Sequence, residues 1–427
     1  MVSAIAPHDP SQAVDPRAWT LIESLLYGRD AQLDPYEVYA ELHTLGDDFV
    51  TPNGTHVVIG HQALTEMMGN PQFRKNNDFG ASQKTMAFSP LTAEQQGQLD
   101  AWDADSEPML GSLDAPDHKR IRGLVQRNFM PNHVNALREK ISLKIDALLA
   151  GIDPTEPADI SSQFGALFAP EIMAELIGLP SEHRAYVAEL TGIFMRGVDP
   201  AAPFELRLAS AKAAHEQRQY VRKVIAARRE NPRDDLVTSL VQESGGVITE
   251  SELVQLLTLL YIGGYETTAH MIGNGLVALL RHPDQLALLR DDIERHMRPA
   301  VNEMLRYDGA ISFTQLFPAE GVQLAGRPAR ANMTYLGLLT AGNRDPEVFD
   351  EPNSFRIERA RMPLLTFGAG PHGCLGLNLA RLELDMVFRE LLQRFPRMRL
   401  LEERPPRVPL FQQQAYATVP VLLDPPA

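Results

Sequence analysis

Cysteine is almost absent from this sequence: one thiol occurs among 427 residues, so no internal disulfide can form. The chain therefore shows no signature of an oxidising compartment. It contains no run of about 18 apolar residues, and residues 1–19 lack the positive segment and apolar core of a secretory signal. These absences predict a cytoplasmic protein with no membrane span.

Positively charged residues are fewer than negatively charged ones. Lys and Arg together number 40, Asp and Glu number 55, and the net charge is -15. A balance this acidic argues against nucleic acid or an anionic membrane surface as the main partner. The sequence also lacks internal repeats and low-complexity linkers, so nothing in it indicates a repeat protein.

Hydrophobic residues make up 44% of the chain, which is enough to bury a large core. We expect a loose N-terminal arm over residues 1–18, followed by a β-hairpin whose turn is Asn53-Gly54. An irregular acidic stretch over 81–117 precedes amphipathic helices from about 118 to 293. Short β-like runs return around 311–341, before a final helix. The pattern predicts a mainly α fold with small β-sheets.

The single cysteine lies in the stretch LLTFGAGPHGCLGLNLARLEL, which runs from Leu364 to Leu384. A helix is predicted from Leu377 to about Phe395, which places Cys374 just before or in its first turn. Free N–H groups and the positive end of the helix dipole stabilise an anion there, so we expect a lowered thiol pKa. The surrounding glycines leave room for a flat, bulky group against the backbone. The alternative is a structural cysteine in a glycine-rich turn.

The spacing of residues around this cysteine is more specific than any one of them. The fixed positions are Phe367, Gly368, Gly370, His372, Cys374 and Gly376. This motif resembles the haem-ligand loop of the cytochrome P-450 family. The resemblance implies that Cys374 is the axial thiolate ligand of the iron in haem b, and that Phe367 packs beneath the porphyrin. A thiolate ligand favours O–O cleavage.

A second mark of the family is the pair Glu303-x-x-Arg306, whose spacing places both side chains on one helix face. Taken alone, such a pair indicates a surface salt bridge. The resemblance implies a buried pair that ties its helix to the irregular segment containing Asn343 and Arg359. Its role would be in folding and haem retention.

Paired glycines and a central acid interrupt the apolar helix LLTLLYIGGYETTAHMIG. Each glycine costs roughly 1 kcal/mol in a helix interior relative to alanine. The stretch resembles the family's distal-helix motif, in which Gly263 and Gly264 let the helix widen beside the haem. The resemblance implies that Thr267 holds a proton network and that Glu266 passes protons inward from solvent. The alternative for Thr267 is a hydroxyl bonded to the preceding helical turn.

A fourth mark is His118-x-x-x-Arg122, which places an imidazole and a guanidinium on one turn of a helix. The resemblance implies that both bond the haem propionates, together with His372. The same neighbourhood is locally basic through Lys119, Arg120 and Arg127. These cations indicate either an ordinary solvated face or a docking patch for an acidic electron donor.

One position departs from the family pattern. Relatives usually follow a Phe-Thr-like pair with an arginine that bonds a haem propionate, whereas SFTQLFPAEG places Leu316 at that position. A propionate contact is therefore missing, or it comes from elsewhere in the chain.

By resemblance, residues 19–427 form a single large haem-binding domain with the cytochrome P-450 fold. The implied reaction inserts one oxygen atom from dioxygen into a small apolar organic substrate, by hydroxylation or epoxidation. No flavin or nicotinamide domain fits in this length beside a haem domain. Electrons would therefore come from a separate ferredoxin-type donor and its reductase. We expect a monomer.

Three other classes of protein are weighed against this interpretation. A peroxide-driven haem enzyme, or a haem-binding sensor or carrier, would keep the cysteine loop without needing an acid–alcohol pair. Glu266 and Thr267 argue against both. A cysteine hydrolase would need an activating histidine near Cys374, but the haem motif already accounts for His372.

Overall fold

The computed structural model describes residues 15–76, 91–104, 106–199, 202–360 and 363–423. Helices make up most of it. In chain order the α-helices are α1 (Pro16–Tyr27), α2 (Arg29–Leu33), α3 (Tyr36–Leu45), α4 (His61–Gly69), α5 (Ala93–Asp103), α6 (Asp117–Val125), α7 (Pro131–Asn135), α8 (Arg138–Ala150), α9 (Ala166–Ile177), α10 (Arg184–Val198), α11 (Phe204–Glu230), α12 (Leu236–Glu243), α13 (Glu250–Leu280), α14 (Pro283–Asp291), α15 (Ile293–Tyr307), α16 (Leu339–Gly342) and α17 (Leu377–Arg394). The strands are β1 (Asp48–Val50), β2 (His56–Val58), β3 (Phe73–Arg74), β4 (Ala158–Asp159), β5 (Phe313–Pro318), β6 (Gln323–Leu324), β7 (Arg327–Pro328), β8 (Tyr335–Leu338), β9 (Arg399–Leu400) and β10 (Pro420–Leu422).

The strands form small sheets at the edge of the helical body. The larger sheet has the order β1-β2-β8-β5-β3, in which β2 and β8 are parallel and the other neighbours are antiparallel. Its first two strands are the hairpin that the sequence predicts. Gly54 has φ 84° in the connecting turn, a conformation that glycine adopts without steric cost. The mainly α fold with small sheets is thus confirmed.

Helix α13 occupies the centre of the main hydrophobic core, where it packs against α9, α15 and α17. Its first turn is fixed by a capping box: Thr249 Oγ1 accepts from the backbone N–H of Glu252 at 3.1 Å, and the Glu252 carboxylate accepts from the N–H of Thr249 at 2.7 Å. Apolar side chains are buried on several faces of the helix because it is surrounded by others. Within the described residues, no helix is both long and apolar enough to cross a membrane.

The Glu303–Arg306 pair on α15 is completely buried. Arg306 binds both carboxylate oxygens of Glu303 at 2.7 and 2.8 Å, and it also donates to the carbonyl of Asn343 at 2.9 Å. Arg359 adds a third contact, from Nε to Glu303 at 3.1 Å. Since a buried charge is costly without such partners, this network joins α15 to the irregular segment before the cysteine loop.

Three local expectations require correction. Helix α1 already begins at Pro16, capped by the Asp15 side chain, so residues 16–18 of the expected arm are helical, and the rest of that arm to residue 14 lies outside the described residues. Of the stretch expected to be irregular (81–117), residues 81–90 and 105 lie outside the described residues, and the rest contains α5, which Thr92 and Gln95 start with a capping box. Finally, α13 runs as one continuous helix from Glu250 to Leu280, and its paired glycines do not interrupt it.

Candidate functional site

A cavity of about 430 Å³ lies between α13, α6, β5 and the cysteine loop (residues 366–376). Most of the side chains around it are apolar. With the exception of Glu266, each of the predicted site residues lines it: His118, Arg122, Gly263, Gly264, Thr267, Phe367, Gly368, His372, Cys374 and Gly376. Residues far apart in the chain are therefore brought to one cavity, which we call the central cavity.

The cysteine loop is held in shape by its backbone. The N–H of Cys374 donates to the carbonyl of Phe367 at 2.7 Å, which closes the loop. Gly368 and Gly370 both have φ 65°, a conformation that most residues avoid. A Cβ at Gly370 would also lie 2.4 Å from the carbonyl oxygen of Met68. This glycine is therefore needed for the turn and for close packing on α4.

Cys374 precedes α17 and faces the central cavity, so its side chain is accessible although it lies deep in the protein. Burial raises the pKa of the Cys374 thiol. The backbone N–H of Gly376, the Arg122 guanidinium and the backbone N–H of Leu377 act in the opposite direction, but they do not outweigh burial. The expected lowering of this pKa is therefore wrong for the protein alone. A coordinated metal ion would deprotonate the thiol.

Two imidazoles and a guanidinium form a polar edge of the central cavity. The rings of His118 and His372 have centroids 4.1 Å apart, and Arg122 donates from Nη2 to the carbonyl of Gly373 at 2.6 Å. Burial lowers the pKa of His372 to about 3 and also lowers that of His118, so both rings are neutral at pH 7. Nε2 of His118 is buried and has no hydrogen-bond partner among the described residues. A ligand with a polar group would satisfy it.

The paired glycines of α13 serve different purposes. A Cβ at Gly264 would lie 2.2 Å from Sδ of Met173 on α9, so this position must be small for the helices to pack. A Cβ at Gly263 would meet nothing within 4 Å, because this residue faces open space. Only Gly263 therefore clears room in the central cavity.

Thr267 lies in the cavity wall, and its hydroxyl donates to the Gly263 carbonyl at 2.8 Å. This is the bond to the preceding helical turn that the sequence offered as an alternative. A hydroxyl keeps two acceptor lone pairs when its proton is engaged. Thr267 can therefore still accept a hydrogen bond from a molecule in the cavity.

Glu266 is half-buried beside the cavity without lining it. Burial raises the pKa of its carboxyl to about 7, while the Gln413 amide and the positive charge of Arg196 act in the opposite direction. At neutral pH the group therefore exists in comparable protonated and ionised fractions. A group poised in this way can both take up and release protons.

Two ionisable residues that line the cavity were not predicted from the sequence. Glu383 of α17 is 2% exposed and lines the cavity, and burial raises its pKa to about 8. The signal was its place between Leu379 and Val387, where the helical period requires an apolar residue. Lys75 is 8% exposed and also lines the cavity, but no local pattern distinguishes it.

The basic residues near α6 do not form an open positive patch. Arg120 donates to the Glu252 carboxylate at 2.6 Å, and Arg127 pairs with Glu243. Lys119 is exposed. Because acidic neighbours offset two of these cations, the structure favours an ordinary solvated face over a strong docking patch.

Comparison with known proteins agrees with this geometry. A model of the family described as Cytochrome P450 matches residues 203–420. Cytochrome P450 monooxygenase PikC of Streptomyces venezuelae is 36% identical over 383 residues, which cover 87% of this chain and 86% of that protein. Cytochrome P450 CYP107DY1 of Priestia megaterium is 30% identical over 366 residues, which cover 84% of this chain and 86% of that protein.

Solved structures show the same likeness. P450BioI, solved in complex with an acyl carrier protein ligated to hexadec-9Z-enoic acid, matches with a TM-score of 0.83 and 28% identity. The match covers 92% of this chain and 100% of that one. The family model and these relatives, together with the fold and the cavity, define a haem-thiolate monooxygenase. The chain belongs to the cytochrome P450 family.

The family's cofactor is haem with a cysteine thiolate as axial ligand, and Cys374 is the only cysteine in the chain. The residues present fit this group. The sulfur of Cys374 faces the central cavity, and Gly263 has no side chain that would block a flat ligand. The buried Nε2 of His118, which has no partner among the described residues, could bond a polar substituent of that ligand. Polar groups at one edge and apolar ones elsewhere match a ligand that is apolar apart from its carboxylates.

Proposed function

We propose that this enzyme inserts one oxygen atom from dioxygen into a small apolar organic molecule, by hydroxylation or epoxidation. The observation that supports the proposal is the central cavity, where the Cys374 thiol and the Thr267 hydroxyl line apolar space. The carboxyl of Glu266, whose pKa is about 7, lies beside this cavity. When bound, haem supplies the activation of dioxygen. The chain would supply the thiolate ligand of the iron, orient the substrate and deliver protons.

We assign the cofactor-binding roles from the positions of the residues around the central cavity. Cys374 would be the axial ligand, with Phe367, Gly368 and Gly376 around it. The polar edge formed by His118, Arg122 and His372 would hold the propionates, because neutral imidazole N–H groups and a guanidinium donate to carboxylates. Gly263 would leave room for the cofactor, and Gly264 would keep α13 against α9.

Thr267 and Glu266 would supply protons during turnover. The Thr267 hydroxyl holds its own proton on the Gly263 carbonyl, which leaves its oxygen free to accept a hydrogen bond in the cavity. Glu266 is half-buried, with a pKa of about 7, so it can pass protons from the outer side of α13. The pair would thus order water and protons beside the substrate.

The chain would receive its electrons from a separate ferredoxin-type donor and its reductase. We further propose that residues 19–427 form one haem-binding domain and that the enzyme works as a cytoplasmic monomer. The single cysteine, which rules out internal disulfides, supports a reducing compartment.

The decisive experiment combines spectroscopy with isotope labelling. Reduced protein under carbon monoxide should show the strongly red-shifted Soret band of thiolate-ligated haem. A library of apolar compounds, screened by the low-spin to high-spin shift, should then identify ligands. With ferredoxin, reductase, NAD(P)H and ¹⁸O₂, a ligand should gain one labelled atom. Product formed with hydrogen peroxide but never with dioxygen and the electron donors would overturn the proposal in favour of a peroxide-driven enzyme.

A further inference from the structure

The polar edge of the central cavity is incomplete on the side of β5. Leu316, which stands where an arginine was expected, is 3% exposed and packs in an apolar cluster with Leu64, Met67 and Phe73. It lines the cavity but can donate no hydrogen bond. No cation therefore reaches the cavity from this position on the strand.

The strand beside β5 brings a cation to the same level. Strands β3 and β5 are antiparallel, with Phe73 opposite Pro318 and Arg74 opposite Phe317. One further step in this register places Lys75 opposite Leu316. Side chains of directly opposed residues in an antiparallel pair lie on the same face, and both of these residues line the central cavity.

The ammonium group of Lys75 is poorly satisfied. Its Nζ reaches Thr314 Oγ1 at 3.3 Å, and among the described residues no carboxylate forms an ion pair with it. Asp114 lies near, but its carboxylate accepts from the backbone N–H groups of Lys75 at 2.8 Å and of Asn76 at 3.2 Å. An ammonium has three donors. Burial lowers the pKa of Lys75 to about 8, and an anion beside Nζ would stabilise its charged form.

The surroundings of Lys75 identify where that anion would lie. It lines the central cavity together with His118, His372 and Arg122, and its positive charge contributes to lowering the pKa of His118. Arg122 acts on His118 in the same way. Asp114 is the acidic group that faces Lys75 and His118, and it offsets part of this positive potential. The polar edge of the central cavity thus continues from α6 to Lys75.

We propose that Lys75 is the propionate-binding cation of this enzyme and takes the place of the arginine that is missing at Leu316. The inference rests on the proposed function, because it requires haem in the central cavity. The cation would then lie on the neighbouring strand, at the residue that follows β3, and not on β5. Lys75 would bind a carboxylate of the cofactor together with His118 and His372.

The test measures the rate at which the ferric holoenzyme loses haem to excess apomyoglobin. Lys75→Met should lose haem at least about tenfold faster than wild type, since a hydrogen bond to a charged group is lost. Lys75→Arg should stay close to wild type. Lys119→Met, which removes an exposed lysine of α6, is the matched control and should have no effect.

A double variant that moves the cation from residue 75 to residue 316 distinguishes a propionate bond from a purely structural role of Lys75. In the double variant Lys75→Met, Leu316→Arg, the arginine should restore slow haem loss, because it returns a cation to the same end of the cavity. A lysine needed only for folding would not be rescued from residue 316. Lys75→Gln serves if Lys75→Met fails to fold.

The outcomes distinguish this inference from the proposed function. If wild type binds no haem, the proposed function itself fails. If wild type shows the thiolate spectrum and Lys75→Met loses haem no faster than Lys119→Met, the role of Lys75 alone is overturned. Failure of Leu316→Arg to rescue a folded Lys75→Met variant would also overturn it.

Discussion

The hydroxyl of Thr268 on α13 donates to Oε2 of Glu383 on α17 at 3.2 Å, where both helices line the central cavity. The other carboxyl oxygen, Oε1, is buried and has no partner among the described residues. Burial raises the pKa of Glu383 to about 8. The acid is thus mainly protonated at neutral pH, and ionising it would leave a charge in a nearly solvent-free position.

Glu383→Gln should stabilise the holoenzyme at high pH. The pKa of this acid is about 8 when folded and 4.5 ordinarily, so the unfolded chain loses the proton first as the pH rises. Wild-type stability should therefore fall between pH 4.5 and 8, and glutamine removes this loss. Thermal midpoints should differ little at pH 5 and by a few degrees at pH 8. Exposed Glu402→Gln is the control, and parallel wild-type and Glu383→Gln profiles would refute the assignment.

Thr267→Ala should leave haem and substrate binding nearly unchanged while it diverts electrons to hydrogen peroxide. The reason is the loss of the Thr267 hydroxyl, which lines the cavity and can accept a hydrogen bond there. The measurement is the ratio of product to NAD(P)H consumed, which should fall severalfold, with peroxide accounting for the difference. Thr267→Ser keeps a hydroxyl and should retain most of the coupling. Equal coupling in the alanine variant and wild type would exclude the proposed role.

The contrast between Thr267 and Glu383 shows what sequence can predict. The hairpin, the cysteine loop and the helix from Leu377 were predicted because each depends on local turn chemistry or on fixed spacing. Glu383 and Lys75 became site residues only through tertiary packing, which brings α17 and the end of β3 to one cavity. Arg120 and Arg127 were overestimated as a patch for the same reason, since the Glu252 and Glu243 carboxylates that pair with them lie more than a hundred residues away.

Glu266→Gln should slow turnover by about 10² or more, because a neutral amide cannot relay a proton. The wild-type rate should also show an inflection near pH 7, where this carboxyl titrates. The glutamine variant should lack that inflection while its substrate-induced spin shift remains normal. An identical inflection in both proteins would assign the titration to another group.

Cys374→His should abolish the thiolate spectrum under carbon monoxide and most of the oxygenation activity, since a neutral imidazole donates less electron density than a thiolate. The loop itself should survive, because it is closed by the backbone bond from residue 374 to Phe367. Far-ultraviolet circular dichroism checks that point. A variant that kept the wild-type carbon monoxide spectrum would show that the sulfur is not the ligand.

Arg122→Ala should accelerate haem loss, and for two physical reasons that a second variant separates. The guanidinium holds the cysteine loop through its 2.6 Å bond to the Gly373 carbonyl, and it also belongs to the polar edge beside His118 and His372. Each charge-assisted bond contributes roughly 1.5–3 kcal/mol, so losing one should raise the rate of transfer to apomyoglobin at least tenfold. Arg122→Lys keeps the charge but not the planar fork, so an intermediate rate is expected. If Arg122→Ala released haem as slowly as wild type, α6 would not hold the propionates.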